Sequence, residues 1–148
     1  VAYFVVAVTL GLATDFLRVG PPAVGGWKLA TLAAILFVKP CLFEEALYRG
    51  LLSPHPSEPL TPARRLAMEG IGLVIFVAAH PVNGALFRPA ARAAFTHPTF
   101  LTIVASLGVA CAMTYRKTGS LWPAVFIHWA TVMAWLPFLG GMQALGGK

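Results

Sequence analysis

Two adjacent carboxylates and an arginine interrupt an otherwise apolar run. In LFVKPCLFEEALYRGLL, residues 36–52, Glu44 and Glu45 use two of the five acidic residues of a 148-residue chain. Successive residues of a helix diverge by about 100°, so the two glutamates cannot share a direction. Glu45 and Arg49 are four apart and can pair on one face, which leaves Glu44 without that partner. Two histidines stand in apolar surroundings elsewhere: His80 in FVAAHPVNG, one turn after Phe76, and His128 in LWPAVFIHWATVMAW. A carboxylate in a poorly solvated place can take a proton from water and return it. An imidazole can orient that water, and an N–H donor can stabilise a tetrahedral oxyanion. That chemistry is hydrolysis. The same three side chains, Glu44, His80 and His128, are also a ligand set for a catalytic zinc with an open position, although the H-E-x-x-H spacing is absent.

The elements that position these residues follow from composition. The chain is 58% hydrophobic and 11% charged, with a mean hydropathy of +0.77. An ordinary soluble domain is nearer a quarter charged, and apolar runs of ~20 residues suffice to cross a bilayer as helices. The expectation is an all-α, polytopic membrane helix bundle forming a single membrane domain over residues 1–148. Strands are not expected, because a bilayer admits helices or closed barrels and these runs lack period-two alternation. The net charge of +6 does not indicate nucleic acid, since the basic residues lie singly or in pairs between apolar runs, as charges that flank membrane spans do. Cys41 and Cys111 lack metal-ligand spacing and read as buried free thiols.

Five apolar segments are expected: a partial N-terminal span ending before Asp15, then about 26–52 (interrupted at Lys39-Pro40), 69–87, 98–115 and 120–141. SPHPSEPLTPARR, with four prolines, reads as an extramembrane loop. FRPAARAAFTHP and RKTGS separate the later segments, and His55 and His97 beside loop prolines read as surface residues. Arg64, Arg65, Arg116 and Lys117 fall on one side, Arg18, Arg88 and Arg92 on the other, and the positive-inside rule makes the first side cytoplasmic. Counted from that side at 1.5 Å per residue, Glu44 lies about 12 Å deep, His80 about 16 Å and His128 about 12 Å. Three helices thus bring a carboxylate and two imidazoles to one level. A plainer reading stays open: Lys39-Pro40 marks the bilayer boundary, residues 41–52 lie in the interface with a solvated Glu45–Arg49 pair, and each histidine packs by itself.

EEALYR fits E-E-x-x-x-R, FVAAH fits F-x-x-x-H, and His128 follows at the start of the last span. In this order the three motifs resemble the CAAX prenyl protease and bacteriocin-immunity family (CPBP, or Abi) of intramembrane proteases, over about residues 26–141. The resemblance implies a four-helix catalytic core and a glutamic-type intramembrane endopeptidase acting on membrane-associated protein substrates. Its setting would be membrane lipid, a bacterial plasma membrane, with the active site nearer the cytoplasmic side. By motif position Glu44 would be the general base, assisted by His80, with His128 donating to the oxyanion. Glu45, Arg49 and Phe76 would support them. No cofactor is needed on the glutamic reading, whereas a metal-dependent one would place a divalent ion such as zinc on Glu44, His80 and His128.

The family's last motif usually has Asn or Asp four residues after the histidine; here that position is Val132. Valine cannot donate, and Thr131 or Asn83 are the nearby substitutes, although Asn83-Gly84 also suits a capping or turn role. The His80-Pro81 step fits either open backbone beside a cleft or a plain helix bend. Two other functions follow from the same residues: a non-catalytic immunity or scaffold protein on this fold, motivated by Val132, and a proton- or ion-coupled transporter, motivated by intramembrane Glu and His. A chain this short without an internal repeat is small for alternating access.

Overall fold

The computed structural model describes residues 2–146, and among them it is helical with no strand. Helix α1 spans Ala2–Ala13 and α2 Trp27–Leu36. Wide turns at Phe37–Leu42 follow, with Lys39 extended (φ −136°, ψ 114°) where Pro40 interrupts the ladder. A single α turn, α3 (Phe43–Glu45), leads into further wide turns at Ala46–Leu51. Beyond a proline-rich loop come α4 (Pro62–Leu86), a 3₁₀ turn at Pro89–Ala91, α5 (Arg92–Phe95), α6 (Pro98–Thr118), α7 (Leu121–Phe138) and α8 (Gly141–Ala144).

α4, α6 and α7 are each long and apolar enough to cross a membrane. The chain is an integral membrane protein built as a helical bundle, as composition indicates. α1 and α2 are shorter, and the expected second span is the broken run from α2 through Leu51.

The helix ends show where local chemistry departs from expectation. The loop that four prolines were expected to fill to Arg65 ends at Thr61. Its hydroxyl accepts from the Arg64 N–H (3.3 Å), and Pro62 opens α4 in the first turn, where a missing N–H costs nothing. α6 likewise runs past Tyr115 through Arg116 and Lys117, whose charges suit a helix C-terminus. It stops at Gly119, left-handed at φ 67°, a conformation glycine adopts without strain. The α6–α7 connection shrinks to Gly119-Ser120, and so short a link makes the two helices antiparallel neighbours. His55 and His97 are exposed, and Cys41 and Cys111 are buried free thiols.

Under the motif residues sits one aromatic core: Tyr48, Phe76, Phe95 and Phe100, with Ala91 and Val104. A second cluster, Leu107, Cys111 and Ala124, joins α6 to α7 and is covered by Tyr3 of α1 and Ile127. The far end of α7 is closed by residues 18–23. Arg18, Gly20 and Ala23 donate backbone N–H groups to the carbonyls of Leu139, Phe138 and Pro137, satisfying acceptors that a helix end leaves open.

Candidate active site

Glu45 is fully buried, and its two oxygens are held unequally, Oε1 by hydrogen bonds and Oε2 by an ion-pair contact alone. Its Oε1 accepts from Arg49 Nη1 at 3.3 Å, and Arg49 Nε lies 3.2 Å from Oε2. Arg49 is itself 3% exposed. Its Nη2 donates to the Gly108 carbonyl of α6 at 2.9 Å, and its guanidinium sits 4.9 Å from the centre of the Phe76 ring. The i, i+4 pair expected from the sequence is present, and it ties three elements together: the motif turns, α4 and α6. A Cβ at Gly108 would meet Leu73 Cδ1 at 2.5 Å and Phe76 Cδ1 at 3.1 Å. Glycine spares that contact and lets the α6 backbone come near enough to give Arg49 its carbonyl without displacing Leu73 or Phe76.

His128, 3% exposed on α7, completes the network. Its Nδ1 lies 2.9 Å from Glu45 Oε1. A carboxylate accepts, so Nδ1 carries a proton here and the free Nε2 points elsewhere. It points at Glu44: Nε2 and Glu44 Oε2 are 3.9 Å apart, beyond a direct hydrogen bond. The Glu44 side chain is 27% exposed, and it makes no hydrogen bond among the described residues. The two neighbouring glutamates thus face opposite sides of one imidazole.

His80 stands across the Phe76 ring. Its Nδ1 is 3.0 Å from the Phe76 carbonyl, which can only accept, so Nε2 is left with its lone pair. Pro81 lacks the N–H that would have bonded the Val77 carbonyl, yet α4 continues through it to Leu86. Phe95 and Phe100 flank the ring at 5.7 and 5.3 Å. Both imidazoles meet Phe76 edge-on, His80 at 5.4 Å and His128 at 6.0 Å between centroids. Phe76, 1% exposed, is therefore the spacer that sets the two histidines apart.

Glu44, His80 and His128 do not close on one point as metal ligands. No three His, Cys, Asp or Glu side chains converge on a metal position among the described residues. Of the two substitute donors, Thr131 gives its hydroxyl proton to the Ile127 carbonyl at 2.8 Å. Asn83 lies within α4, its backbone carbonyl takes the Phe87 and Arg88 N–H groups at 2.9 Å each where the helix ends, and its side-chain amide makes no hydrogen bond among the described residues.

Charge accounting adds one constraint. With Glu44, Glu45 and Arg49 ionised and both histidines neutral, the cluster carries one net negative charge; a single proton on His128 or Glu44 brings it to zero. Buried charges persist when they are compensated in this way. Sequence reasoning missed the Glu45–His128 and Arg49–Gly108 bonds. They join residues 83 and 59 apart, and contacts at that separation leave no local pattern to find.

A family model described as type II CAAX prenyl endopeptidase Rce1-like matches residues 26–134. No curated protein and no solved structure matches the chain.

Proposed function

The chain belongs to the type II CAAX prenyl endopeptidase Rce1-like family, and from that premise we propose that it hydrolyses peptide bonds of membrane-associated protein substrates by a glutamate-activated water. The observation that carries this reading is the asymmetry around His128: Glu45 holds its Nδ1 at 2.9 Å, and Glu44 waits unbonded 3.9 Å from its Nε2.

On this reading a water sits between Glu44 and His80. Glu44 takes one of its protons, while the His80 Nε2 lone pair accepts the other in a hydrogen bond and fixes the oxygen. The oxygen attacks the scissile carbonyl carbon. The extra proton of the cluster resides on His128 Nε2, which donates to the oxyanion, while Glu45 keeps the imidazolium oriented and compensated. Glu44 then passes its proton to the leaving amine, giving a new carboxyl terminus and a new amino terminus. Asn83, one turn beyond His80 along α4, is the second donor in place of Val132. α4 and α7 run in the same direction from the side of Arg64 and Ser120, so Asn83 and Val132 each stand one turn past their histidine. The site opens toward the cytoplasmic side of a bacterial plasma membrane by the balance of flanking positive charge.

Val132 also supports a rival: a non-catalytic immunity or scaffold protein. Peptide termini compared between host membranes carrying the intact chain and Glu44→Gln, at matched expression, separate the two. New termini that require Glu44 establish the peptidase and name its substrates. Identical termini, with both proteins folded and abundant, retire the catalytic reading in favour of the scaffold.

A further inference from the structure

Arg49 does not spend its whole guanidinium on the brace. Of its five N–H groups, the one on Nε faces Glu45 Oε2, one on Nη1 goes to Glu45 Oε1 and one on Nη2 goes to the Gly108 carbonyl. The second N–H of each terminal nitrogen has no acceptor among the described residues, although the side chain is 3% exposed. A buried donor left unmade costs more than an ordinary hydrogen bond returns. Beside it lies a cavity of about 10 Å³ whose lining includes Arg49, Ser53, Glu69 and Gly72. That volume is about the least that holds one water, and a held water needs two to four polar partners.

The lining supplies those partners. Glu69 Oε2 takes Arg116 Nη1 at 3.3 Å, and its Oε1 takes no hydrogen bond among the described residues. Ser53 gives its proton to the Tyr48 carbonyl at 2.8 Å, which leaves the hydroxyl lone pairs to accept. The Glu69 side chain is 14% exposed and that of Arg116 46%. A pair with so open a partner contributes little by itself, so the surface arginine does not account for the inward carboxylate. From core to surface the charges alternate: Glu45, Arg49, Glu69, Arg116.

We propose that Glu69 is a positioning residue: through one water in this cavity it fixes Arg49, and through Arg49 it fixes Glu45 and the imidazole of His128 that Glu45 orients. The water accepts from the spare Arg49 N–H groups and donates one proton to Glu69 Oε1 and the other to Ser53 Oγ. A bridging water is nearly as good as a direct hydrogen bond, and ionised groups at its ends strengthen it. The consequence for rate rests on the endopeptidase reading; the link between Glu69 and Arg49 does not.

The test measures the folding equilibrium of the full chain by titrating a mild detergent with dodecyl sulfate. Glu69→Leu should lower the ratio of folded to unfolded protein about 10-fold, the worth of one such hydrogen bond, and Glu69→Gln, which keeps an acceptor, should retain most of it. In the Glu45→Gln/Arg49→Met chain, which has no brace to hold, Glu69→Leu should change little; in an Arg116→Met chain it should keep most of its effect. An equal loss with and without Arg49, or a loss that vanishes with Arg116, overturns the link. Gly72→Ala gives a second reading: outside its own helix the added methyl has only Ser53 Oγ within 4 Å, at 3.8 Å, so it enters the cavity without a clash. Alanine is the better helix former, so a dry cavity yields a more stable protein and refutes the water, whereas a wet one yields a less stable protein. In host membranes at matched expression, the Glu44-dependent appearance of new termini should slow about 10-fold in Glu69→Leu and remain near the intact rate in Glu69→Gln. An unchanged rate in Glu69→Leu, with the link to Arg49 measured, overturns the positioning role and leaves the endopeptidase standing. Absence of Glu44-dependent termini from the intact chain itself brings down the endopeptidase reading and the positioning role with it.

Discussion

The two flanks of the motif turns differ in almost every physical respect although they begin from the same residue type. On one flank Glu45 is sealed from solvent and held by Arg49 and His128, and Arg49 is held in turn by a backbone carbonyl of α6 and the face of Phe76. On the other, Glu44 is partly open and its nearest charged partner is 3.9 Å away. The closed flank spends Glu45 Oε1 on two hydrogen bonds and Oε2 on the Arg49 ion pair, and it joins three elements in doing so. The open flank leaves a carboxylate and two imidazole nitrogens unspent. A membrane bundle can hold an uncommitted acid at depth because the adjacent one has been neutralised and made part of the scaffold.

The sharpest way to break that contrast is to disable the open flank alone. Glu44→Gln should lower cleavage by about 10⁴-fold or to below detection, near the upper end of what a general base supplies. Thermal unfolding in detergent should be unchanged, because the side chain makes no hydrogen bond among the described residues. Cleavage that survives this change means the open flank is not the catalytic one.

The closed flank should respond in the opposite sense. Arg49→Met leaves Glu45 buried without its cation, which costs about 3–5 kcal/mol for a buried pair broken on one side. The expected result is a marked loss of folded protein in detergent. Adding Glu45→Gln to Arg49→Met should restore part of that stability, because the uncompensated charge disappears, yet cleavage should stay low since His128 loses the carboxylate that orients it. Stability indifferent to Arg49 would mean that the brace is ornamental and that α6 is held by packing.

A third change asks whether the open flank has the donor that Val132 lacks. Asn83→Ala should slow cleavage by about 10²–10³-fold, the usual loss for one oxyanion donor. Val132→Asn in that background should recover much of it by returning an amide to the turn after His128. If Asn83→Ala leaves the rate untouched while Val132→Asn raises it in the intact chain, the enzyme works with a single donor.

The closed flank was half legible in the sequence and the open flank nearly all of it. Helix geometry separates Glu44 from Glu45 and pairs the latter with Arg49, even though the turns there are wider than an α-helix. Counting residues from the loops puts Glu44, His80 and His128 at one depth, and the structure shows Glu44 3.9 Å from His128 with His80 across the Phe76 ring. The helix boundaries are harder, because the same residue has opposite meanings by position. Pro62 reads as a loop residue in a run of four prolines and is instead the first residue of α4. Arg116 and Lys117 read as a connection and instead close the C-terminus of α6. What no local pattern carries is which groups meet: that Glu45 turns to His128 and that Arg49 reaches the Gly108 carbonyl depend on the packing of α6 and α7 against the motif turns.

That packing supplies the smallest and most discriminating test. Gly108 brings α6 close enough for its carbonyl to meet Arg49, and an added methyl group would press on the end of Leu73 and the edge of Phe76. Leu73 can swing its terminal carbon aside; Phe76 cannot, since Tyr48, His80 and His128 pack edge-on against the ring. Gly108→Ala should therefore cost about 1–3 kcal/mol, the usual range for overpacking, and shift Phe76 by a few tenths of an ångström. Because Phe76 spaces the two histidines, the same substitution should also lower kcat by several fold while KM stays near its original value. Gly108→Ala with Leu73→Ala relieves the clash at Leu73 but not at Phe76. If kcat recovers in the double variant, the pressure travels through Leu73 and the closed flank is merely tight; if it does not, Phe76 is the element that joins the closed flank to the open one.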